Sequence, residues 1–329
     1  MANYYLPEAM NPRNIPTTLK ILKILCDHQC RNNIWFFSIG ILYLIAVSSY
    51  AIGSKNFFFD LFSHFQPQYT LGGISILLLG ALFKIDRRMI LLASIAVLTH
   101  FFLIIYPIRM SDMDQTKASE IDFFFMNSNY FNEKYLDIYD EYDKYSSASQ
   151  IYEKGSVALV EANEDIIRLF TQEYGDPVEI EGVGGQTCVI FSRTFMAVPN
   201  DTLPKFEYPT CIASSRNITQ IVVHPYPPLS KELADRQAVY FEQISEYIEE
   251  LRSTGTDFIV MGDFNSTKYN AVFRRYFGSM DSTDLYTWEL GKPWMLQLDH
   301  VFSNKPIDVY RSKRLSSDHI GLFINIDQD

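Results

Sequence analysis

Two long stretches without a charged side chain lie in the first third of this chain, and they limit its fold more than any other feature. Residues 34–52 and 89–108 contain no Asp, Glu, Lys or Arg. An α-helix needs about 20 consecutive apolar residues to cross a bilayer, and both stretches have about that length. Trp35, near the start of the first stretch, is suited to an interfacial anchor. Two buried helices of a soluble protein are the disfavoured alternative, and we predict a membrane domain over residues 34–108.

A third apolar segment lies between these two stretches, and it is short. As a helix, residues 69–83 would cover about 22 Å at 1.5 Å per residue, whereas the hydrocarbon core is about 30 Å thick. The segment can lengthen toward residue 66, thin the bilayer locally, or form a re-entrant hairpin. We predict about three transmembrane helices, at residues 34–52, 66–83 and 89–108.

The positions of the basic residues indicate the orientation in the membrane. Four lie in the N-terminal tail, residues 1–33, and three lie in the loop at residues 84–88. Lys and Arg are enriched on the cytoplasmic side, so the tail and this loop are predicted to be cytoplasmic. Three crossings then place the chain that follows a linker at residues 109–118 in the periplasm, as part of an inner or plasma membrane protein. A cleaved signal peptide is disfavoured because 33 mostly polar residues precede the first apolar stretch.

Charge is unevenly distributed along the chain. Residues 1–109 carry nine Lys and Arg against four Asp and Glu, and residues 110–329 carry 19 against 35, a net charge of −16. Non-specific binding to duplex DNA depends on basic residues that neutralise phosphates. The C-terminal domain, predicted over residues 119–329, is therefore a poor candidate for tight, non-specific binding to duplex DNA.

Short apolar runs separated by turns begin at residue 121. Such runs predict strands, and apolar residues at spacings of three and four predict helices. The predicted strands cover residues 121–126, 156–160, 187–191, 211–214, 218–224, 258–261, 300–302 and 322–326. The predicted helices cover residues 133–145, 162–174, 231–252 and 270–277. Strands with interspersed helices predict an α+β domain of sheets flanked by helices.

Several of these strands end in a polar residue that packing does not require. The residues are Asn127, Glu161, His224, Asp263 and Asp299, and the pair Asp318 and His319 precedes the last strand. Each alone is ordinary, because a carboxylate after a strand is usually a solvated loop residue or a helix cap. Together they provide what a divalent-metal phosphoesterase needs, namely oxygen ligands for Mg²⁺, a base for water, and donors for phosphoryl oxygens.

The most distinctive strand end is the sequence Gly-Asp-Phe-Asn at residues 262–265. Asp263 and Asn265 stand two residues apart, so an extended chain points both side chains the same way. Asp263 can accept a proton or bind a metal, and Asn265 can hydrogen-bond a phosphate without adding a repulsive charge. Alone, the motif is equally compatible with an ordinary turn. The other strand ends favour an active site.

Two cysteines, Cys188 and Cys211, lie in consecutive predicted strands. An oxidising compartment would let them form a disulfide. Spacing in the sequence does not fix the Cα geometry that a disulfide needs, so the paired and the free state both stay open.

The order of these motifs resembles the endonuclease/exonuclease/phosphatase superfamily, which has the deoxyribonuclease I-like fold. The resemblance covers about residues 119–327 and rests on Asn127, Glu161, His224, Gly-Asp-Phe-Asn at 262–265, Leu-Asp-His at 298–300 and Ser-Asp-His at 317–319. Asn127 and Asn132 also resemble the double-Asn opening of membrane-attached bacterial members. The resemblance implies a four-layer α/β sandwich of two packed, mostly antiparallel sheets flanked by helices.

The resemblance implies a metal site as well. Glu161 would bind a divalent cation, with help from Asn127 and Asp318. Mg²⁺ is the expected ion, and Mn²⁺ is the alternative.

Catalytic roles follow from the same resemblance. Asp263 would orient or deprotonate the attacking water, and Asn265 would hold the phosphate. His319 would contact the scissile phosphoryl group while Asp299 fixes its tautomer. His224 would assist the leaving group.

We therefore expect a membrane-anchored, Mg²⁺-dependent phosphodiesterase that uses metal-assisted, in-line attack by water. Nucleic acid, a phospholipid head group and another phosphorylated small molecule all stay open as substrates. Expected neighbours are the lipid bilayer and unidentified partners in a membrane complex. The alternative is a non-catalytic binding module displayed on the membrane, or a subunit of a larger membrane complex, that uses the same fold.

Overall fold

The computed structural model describes residues 17–53, 56–102, 121–146, 155–182, 184–215, 218–280, 282, 285–291 and 294–326. The chain divides into two compact units. One comprises Met1–Val47 and Tyr69–Ile105, and the other comprises Ser48–Gln68 and Tyr106–Asp329. The predicted linker at residues 109–118 lies outside the described residues.

Among the described residues of the N-terminal third there are four α-helices: α1 (Thr17–Ile52), α2 (Phe57–Ser63), α3 (Gln66–Leu82) and α4 (Arg87–His100). Within the described residues, one segment is long and apolar enough to cross a bilayer. This segment is Asn32–Ile52. Its mean hydropathy is 1.8, and 6% of its most apolar stretch is buried. The predicted helix at residues 89–108 is described as far as residue 102. The number of membrane crossings therefore stays a prediction.

Strands with interspersed helices form the C-terminal part of the second unit. In chain order they are β1 (Phe123–Asn127), α5 (Leu136–Ser146), β2 (Ser156–Val160), α6 (Glu164–Tyr174), β3 (Glu179–Glu181), β4 (Cys188–Ser192), β5 (Met196–Ala197), β6 (Thr210–Ser214), β7 (Ile218–Val223), α7 (Lys231–Ser253), β8 (Asp257–Asp263), α8 (Ala271–Phe277), β9 (Trp288–Gly291), β10 (Trp294–Leu296), β11 (Asp299–Ser303), β12 (Ile307–Arg311) and β13 (Leu322–Ile326). Side-chain caps begin several of the helices, as at Ser230, which accepts the backbone N–H of Leu233 at the start of α7.

Two large sheets form from these strands. The first sheet has six strands in the order β12-β13-β1-β2-β4-β3, and the second has five in the order β11-β8-β7-β6-β5. Neighbouring strands are antiparallel except for two parallel pairs, β1 with β2 and β7 with β8. Two mostly antiparallel sheets were predicted, and that prediction is confirmed.

The strands alternate their side chains between an inner and an outer core, as the two-residue period of a strand requires. Phe123 and Phe125 of β1 share the inner core with Met261 of β8, so this core lies between the sheets. Phe124 instead packs under α5 and α6 on the outer face of the first sheet. Phe241 of α7 covers the outer face of the second sheet. The result is the predicted α+β architecture of four layers, helix, sheet, sheet and helix.

A disulfide joins Cys188 of β4 to Cys211 of β6, with the Cα atoms 6.1 Å apart. That separation lies in the ordinary range for a disulfide. The two cysteines belong to different sheets and are fully buried in the inner core. The bond therefore ties the sheets together, which resolves the alternative that the sequence left open.

Candidate active site

In the first sheet, a parallel pair of strands brings Asn127 and Glu161 together. Asn127 ends β1 opposite Val160 of β2, and Glu161 follows immediately. Glu161 has a φ of 52°, in the left-handed region that residues other than glycine rarely adopt. In this conformation its Oε1 accepts a hydrogen bond from Nδ2 of Asn127 at 3.0 Å. Such backbone strain often marks a functional site.

In the second sheet, the neighbouring strands β7, β8 and β11 bring His224, Asp263 and Asp299 to one end of the sheet. Val223 ends β7 opposite Gly262 of β8, so His224 and Asp263 come next on neighbouring strands. Asp299 begins the antiparallel strand β11 directly opposite Asp263. Three polar residues that are far apart in the sequence therefore meet where the strands end.

Gly262 allows this close approach of β7 and β8. A Cβ atom at position 262 would lie 2.1 Å from the carbonyl oxygen of Val223 and 2.5 Å from its Cγ2. No side chain fits within that distance. The glycine of the Gly-Asp-Phe-Asn sequence is therefore required by packing.

Asp263 lies at the centre of the site and is 1% exposed. Its Oδ2 accepts a hydrogen bond from Nδ2 of Asn127 at 3.0 Å and lies 3.5 Å from Nε2 of His319. Nε2 of His224 is 3.9 Å from the same oxygen. Burial raises the pKa of Asp263, and the charge of Asp299 adds to this, while His319 and His224 act in the opposite direction.

His319 and Asp299 form a buried pair. Nδ1 of His319 donates to Oδ2 of Asp299 at 2.7 Å. Burial alone would lower the pKa of His319, but the carboxylates of Asp299 and Asp263 outweigh it and raise the pKa to about 10. His319 is therefore an imidazolium at neutral pH, and its Nε2 faces Asp263.

Glu161 forms a second contact with a histidine, because its Oε1 lies 3.4 Å from Nε2 of His224. Burial raises the pKa of Glu161, but the hydrogen bond and charge of His224, together with Asn127, lower it to about 2. The Glu161 side chain keeps 27% of its surface exposed. It is thus an ionised carboxylate that solvent can reach.

Asn265 fixes the turn that carries Asp263. It has a φ of 49°, and its backbone N–H donates to Oδ1 of Asp263 at 2.8 Å. Its side-chain Nδ2 donates to the carbonyl oxygen of Pro225, next to His224, at 3.0 Å. Asn265 therefore links the turn after β8 to the turn after β7.

Asp318 lies beside these groups with both carboxylate oxygens hydrogen-bonded. Nδ2 of Asn129 donates to Oδ1 at 2.9 Å, and Nε1 of Trp288 donates to Oδ2 at 3.0 Å. Neither partner was predicted from the sequence. Asn129 carried a weak signal, since it follows Asn127 in the turn after β1, whereas Trp288 reaches the site through a bridge to His319 that no local pattern shows.

Two clusters of acids and histidines in the described part of the chain can hold a metal ion. One contains Glu161, His224 and Asp263, the other contains Asp263, Asp299 and His319, and the ligand atoms within each lie within 4.8 Å of one another. The second cluster is fully buried, and its histidine is already paired with Asp299. The first offers the ionised, partly exposed Glu161. An oxygen ligand of this kind suits Mg²⁺ or Mn²⁺.

Among known proteins, the sequence profile of the Endonuclease/Exonuclease/phosphatase family matches residues 145–319. No curated protein matches the chain. The solved structures with a similar fold include a humanised TDP2 of D. rerio, 13% identical, with a TM-score of 0.44, covering 64% of this chain and 100% of its own.

Two further solved structures show the same degree of similarity. The human Nocturnin catalytic domain is 13% identical, covers 68% of this chain and 98% of its own, and has a TM-score of 0.45. The 3′ phosphatase NExo from Neisseria is 17% identical, covers 63% of this chain and 99% of its own, and has a TM-score of 0.46. The family match spans more than half of this chain and includes Glu161, Asp263 and His319, so the chain belongs to the endonuclease/exonuclease/phosphatase family of metal-dependent phosphoric ester hydrolases.

Proposed function

We propose that this chain is a membrane-anchored, Mg²⁺-dependent phosphodiesterase that hydrolyses its substrate by in-line attack of water. The observation that supports this best is the position of Asp263. Its Oδ2 accepts a hydrogen bond from Asn127 and lies 3.5 Å from the charged His319. A carboxylate that can take a proton thus stands beside a cation that can stabilise a phosphoryl oxygen.

In this proposal Asp263 orients the attacking water and accepts its proton. Burial raises the pKa of Asp263, which makes its carboxylate a better base than a solvated one. Asn265 holds the turn through its N–H to Asp263, and its side chain would hold the phosphate. His319 contacts the scissile phosphoryl group through Nε2, because Nδ1 is directed to Asp299. His224 assists the leaving group.

Glu161 would hold the divalent cation, with Asn127 and Asp318 as the further ligands. Bound there, the cation would neutralise charge on the phosphoryl oxygens as the ester bond breaks. Oxygen donors of this type favour Mg²⁺, with Mn²⁺ as the alternative. The pKa of about 2 supports the role of Glu161, since its carboxylate needs no deprotonation at neutral pH.

The disulfide supports the proposed location. Disulfides persist in oxidising compartments such as the periplasm and are rare in the cytosol. The buried Cys188–Cys211 bond agrees with a catalytic domain outside the cytoplasm, tethered by helices at residues 34–52, 66–83 and 89–108. A fusion of a compartment-sensitive reporter after Asp329 tests this orientation. A cytoplasmic signal would contradict it.

Among substrates, we propose a phosphodiester other than bulk duplex DNA. Residues 110–329 carry a net charge of −16, which opposes non-specific attraction to duplex DNA. One structural neighbour is a D. rerio TDP2 complexed with single-strand DNA product, and NExo is bound to a product DNA hairpin. Single-stranded nucleic acid therefore belongs in a substrate screen beside phospholipids with phosphodiester head groups.

The test uses the full chain purified in detergent. We expect hydrolysis of bis-p-nitrophenyl phosphate with Mg²⁺ or Mn²⁺, loss of activity with EDTA, and recovery when Mg²⁺ is restored. Panels of single-stranded DNA, RNA, duplex DNA and phospholipid vesicles then define the natural class. Activity that persists in EDTA would contradict the metal-dependent mechanism. Absence of hydrolysis on every panel would favour a non-catalytic binding module.

A further inference from the structure

A short segment between α1 and α3 contacts the loop at residues 264–271. This loop continues the turn after β8 that carries Asp263 and Asn265, here named the catalytic turn. This segment, residues 56–65, includes α2 and lies between α1 and α3. It belongs to the same compact unit as the two sheets. Asp60 and His64 are its buried ionisable residues, at 6% and 5% exposure, whereas Phe58 of the same helix is 60% exposed. Burial of two polar side chains requires hydrogen-bonding partners.

Asp60 finds its partners at the start of α8. Its Oδ1 accepts the backbone N–H of Ala271 at 2.8 Å, and its Oδ2 accepts Nδ2 of Asn270 at 2.7 Å. Asn270 is itself the N-cap of α8, since its Oδ1 accepts the backbone N–H of Phe273 at 2.8 Å. The first N–H groups of a helix have no partner within the helix. Asp60 therefore completes the cap of α8 from a distant part of the sequence.

His64 holds the same loop three residues earlier. Its Nδ1 accepts the backbone N–H of Thr267 at 3.2 Å. Burial lowers the pKa of His64 to about 4, so the ring is neutral and its single proton lies on Nε2. Nε2 is 3.3 Å from Nδ2 of Asn270. Two donor groups thus face each other at this one contact.

The loop held in this way is the continuation of the catalytic turn. Asp263 precedes Thr267 by four residues, and Asn265 precedes it by two. Ser266, which lies between Asn265 and Thr267, is fully buried. Nε2 of His300 also contacts the carbonyl oxygen of Ser266, at 2.8 Å. The position of the catalytic carboxylate therefore depends on both attachments of this loop.

We propose that Asp60 and His64 are positioning residues, which fix the loop at residues 264–271 and thereby the catalytic turn from the segment between α1 and α3. This inference rests on the proposed function for its catalytic consequence. It makes hydrolysis depend on the order of a segment that directly follows the candidate membrane span Asn32–Ile52. A catalytic domain expressed without residues 1–68 would then be folded but poorly active.

The variants that test this use the full-length protein. Asp60→Ala and His64→Ala each remove acceptors from the loop. We expect kcat to fall about tenfold or more with KM within about twofold, because geometry at the reacting atoms is lost while substrate contacts stay. Asp201→Ala, at an exposed aspartate outside these contacts, is the matched control and should keep the activity of the parent protein.

A reciprocal exchange separates positioning from general destabilisation. Asp60→Asn alone and Asn270→Asp alone each place two like groups in contact. The double variant Asp60→Asn/Asn270→Asp restores an amide and a carboxylate in reversed order, keeps an acceptor for Ala271 and for Phe273, and gives Nε2–H of His64 a carboxylate acceptor. We expect the double variant to recover at least half of the parent kcat. Recovery no greater than in the single variants would overturn the proposal.

Hydrogen–deuterium exchange provides a readout that does not need activity. Amides of residues 266–271 should exchange faster in Asp60→Ala and His64→Ala, and return toward the parent rate in the double exchange variant. Unchanged exchange together with unchanged kcat would refute the positioning role. Faster exchange in a protein whose parent form hydrolyses no phosphodiester would support the role of these residues in holding the loop, and would reject the proposed function instead.

Discussion

Asp299 accepts a hydrogen bond from Nδ1 of His319 at 2.7 Å, and both side chains are almost fully buried. The pair fixes the orientation of the imidazole, because a carboxylate acceptor keeps a proton on Nδ1 and directs Nε2 to Asp263. An oriented, charged histidine is thereby supplied by two residues that lie 20 positions apart.

An Asp299→Asn variant tests the contribution of this pair to hydrolysis. Asp299→Asn keeps the shape but removes the charge that holds the proton on His319, and its amide can donate where an acceptor is needed. We expect kcat to fall about 10²- to 10⁴-fold, with a smaller change in KM. Because Asp299 raises the pKa of His319, His319 should lose its proton at a lower pH in the variant. The pH–rate profile should therefore begin to fall at a lower pH than in the parent protein. A parent-like kcat would contradict the role of Asp299.

Gly262 gives a prediction about stability. Gly262→Ala places a Cβ atom 2.1 Å from the carbonyl oxygen of Val223, so β7 and β8 must separate. Overpacking of this kind costs about 1–3 kcal/mol or more. Chemical denaturation measures the free energy of unfolding. Gly185→Ala is the matched control, because its Cβ would meet nothing closer than 4.0 Å, and its effect should stay within about 0.5 kcal/mol.

Glu161 gives a prediction about metal affinity. Glu161→Gln keeps the size of the side chain but removes the negative charge, so the Mg²⁺ concentration for half-maximal activity should rise about tenfold or more. Added Mg²⁺ should also raise the melting temperature of the parent protein more than that of the variant, because ligand binding to the folded state stabilises it. Equal shifts in both proteins would place the cation elsewhere.

His300 gives a prediction about acid stability. Burial lowers its pKa to about 4, from about 6.5 in an unfolded chain. As the pH falls from 6.5 toward 4, the unfolded state takes up the proton first, so this histidine removes up to roughly 3 kcal/mol of stability over that window. His300→Phe keeps an aromatic ring beside Phe273 and Phe302. Its unfolding free energy should fall less steeply between pH 6.5 and 4, and parallel curves would contradict this.

The inner strands and the site residues on them could be predicted from sequence because burial on both faces leaves a continuous apolar run. β2 is buried at every residue, and the observed bounds of β2 and β13, Ser156–Val160 and Leu322–Ile326, equal the predicted ones. A polar residue at the end of such a run stands out, as Glu161 and Asp263 do. The sequence therefore indicated the order of the site residues before their contacts were known.

Two of the edge strands, β5 and β3, could not be predicted in the same way. Met196–Ala197 is exposed at both residues, and Glu179–Glu181 has no buried residue. Such strands are formed by pairing with a neighbour, so their own sequence carries little signal. The same reason hid Trp288, which enters the site through a bridge to His319.

The contacts of Asp60 and His64 lay beyond the reach of sequence for a different reason. Their partners Ala271 and Thr267 are more than 200 residues away. The segment between α1 and α3 has no sequence pattern that marks it as part of the site. A lone acid between two apolar stretches is ordinarily a solvated loop residue. Only the fold brings it to the catalytic turn.

We propose that Asp263 acts in the metal-dependent hydrolysis of a phosphodiester. The most direct test compares the parent protein with Asp263→Asn, which keeps the shape of the side chain, on bis-p-nitrophenyl phosphate at saturating Mg²⁺. We predict that kcat falls by about 10² or more, that the melting temperature changes by a few degrees at most, and that EDTA abolishes the activity of the parent. Hydrolysis by Asp263→Asn at the parent rate would contradict the catalytic role of Asp263. Activity of the parent protein that survives EDTA would contradict the metal dependence.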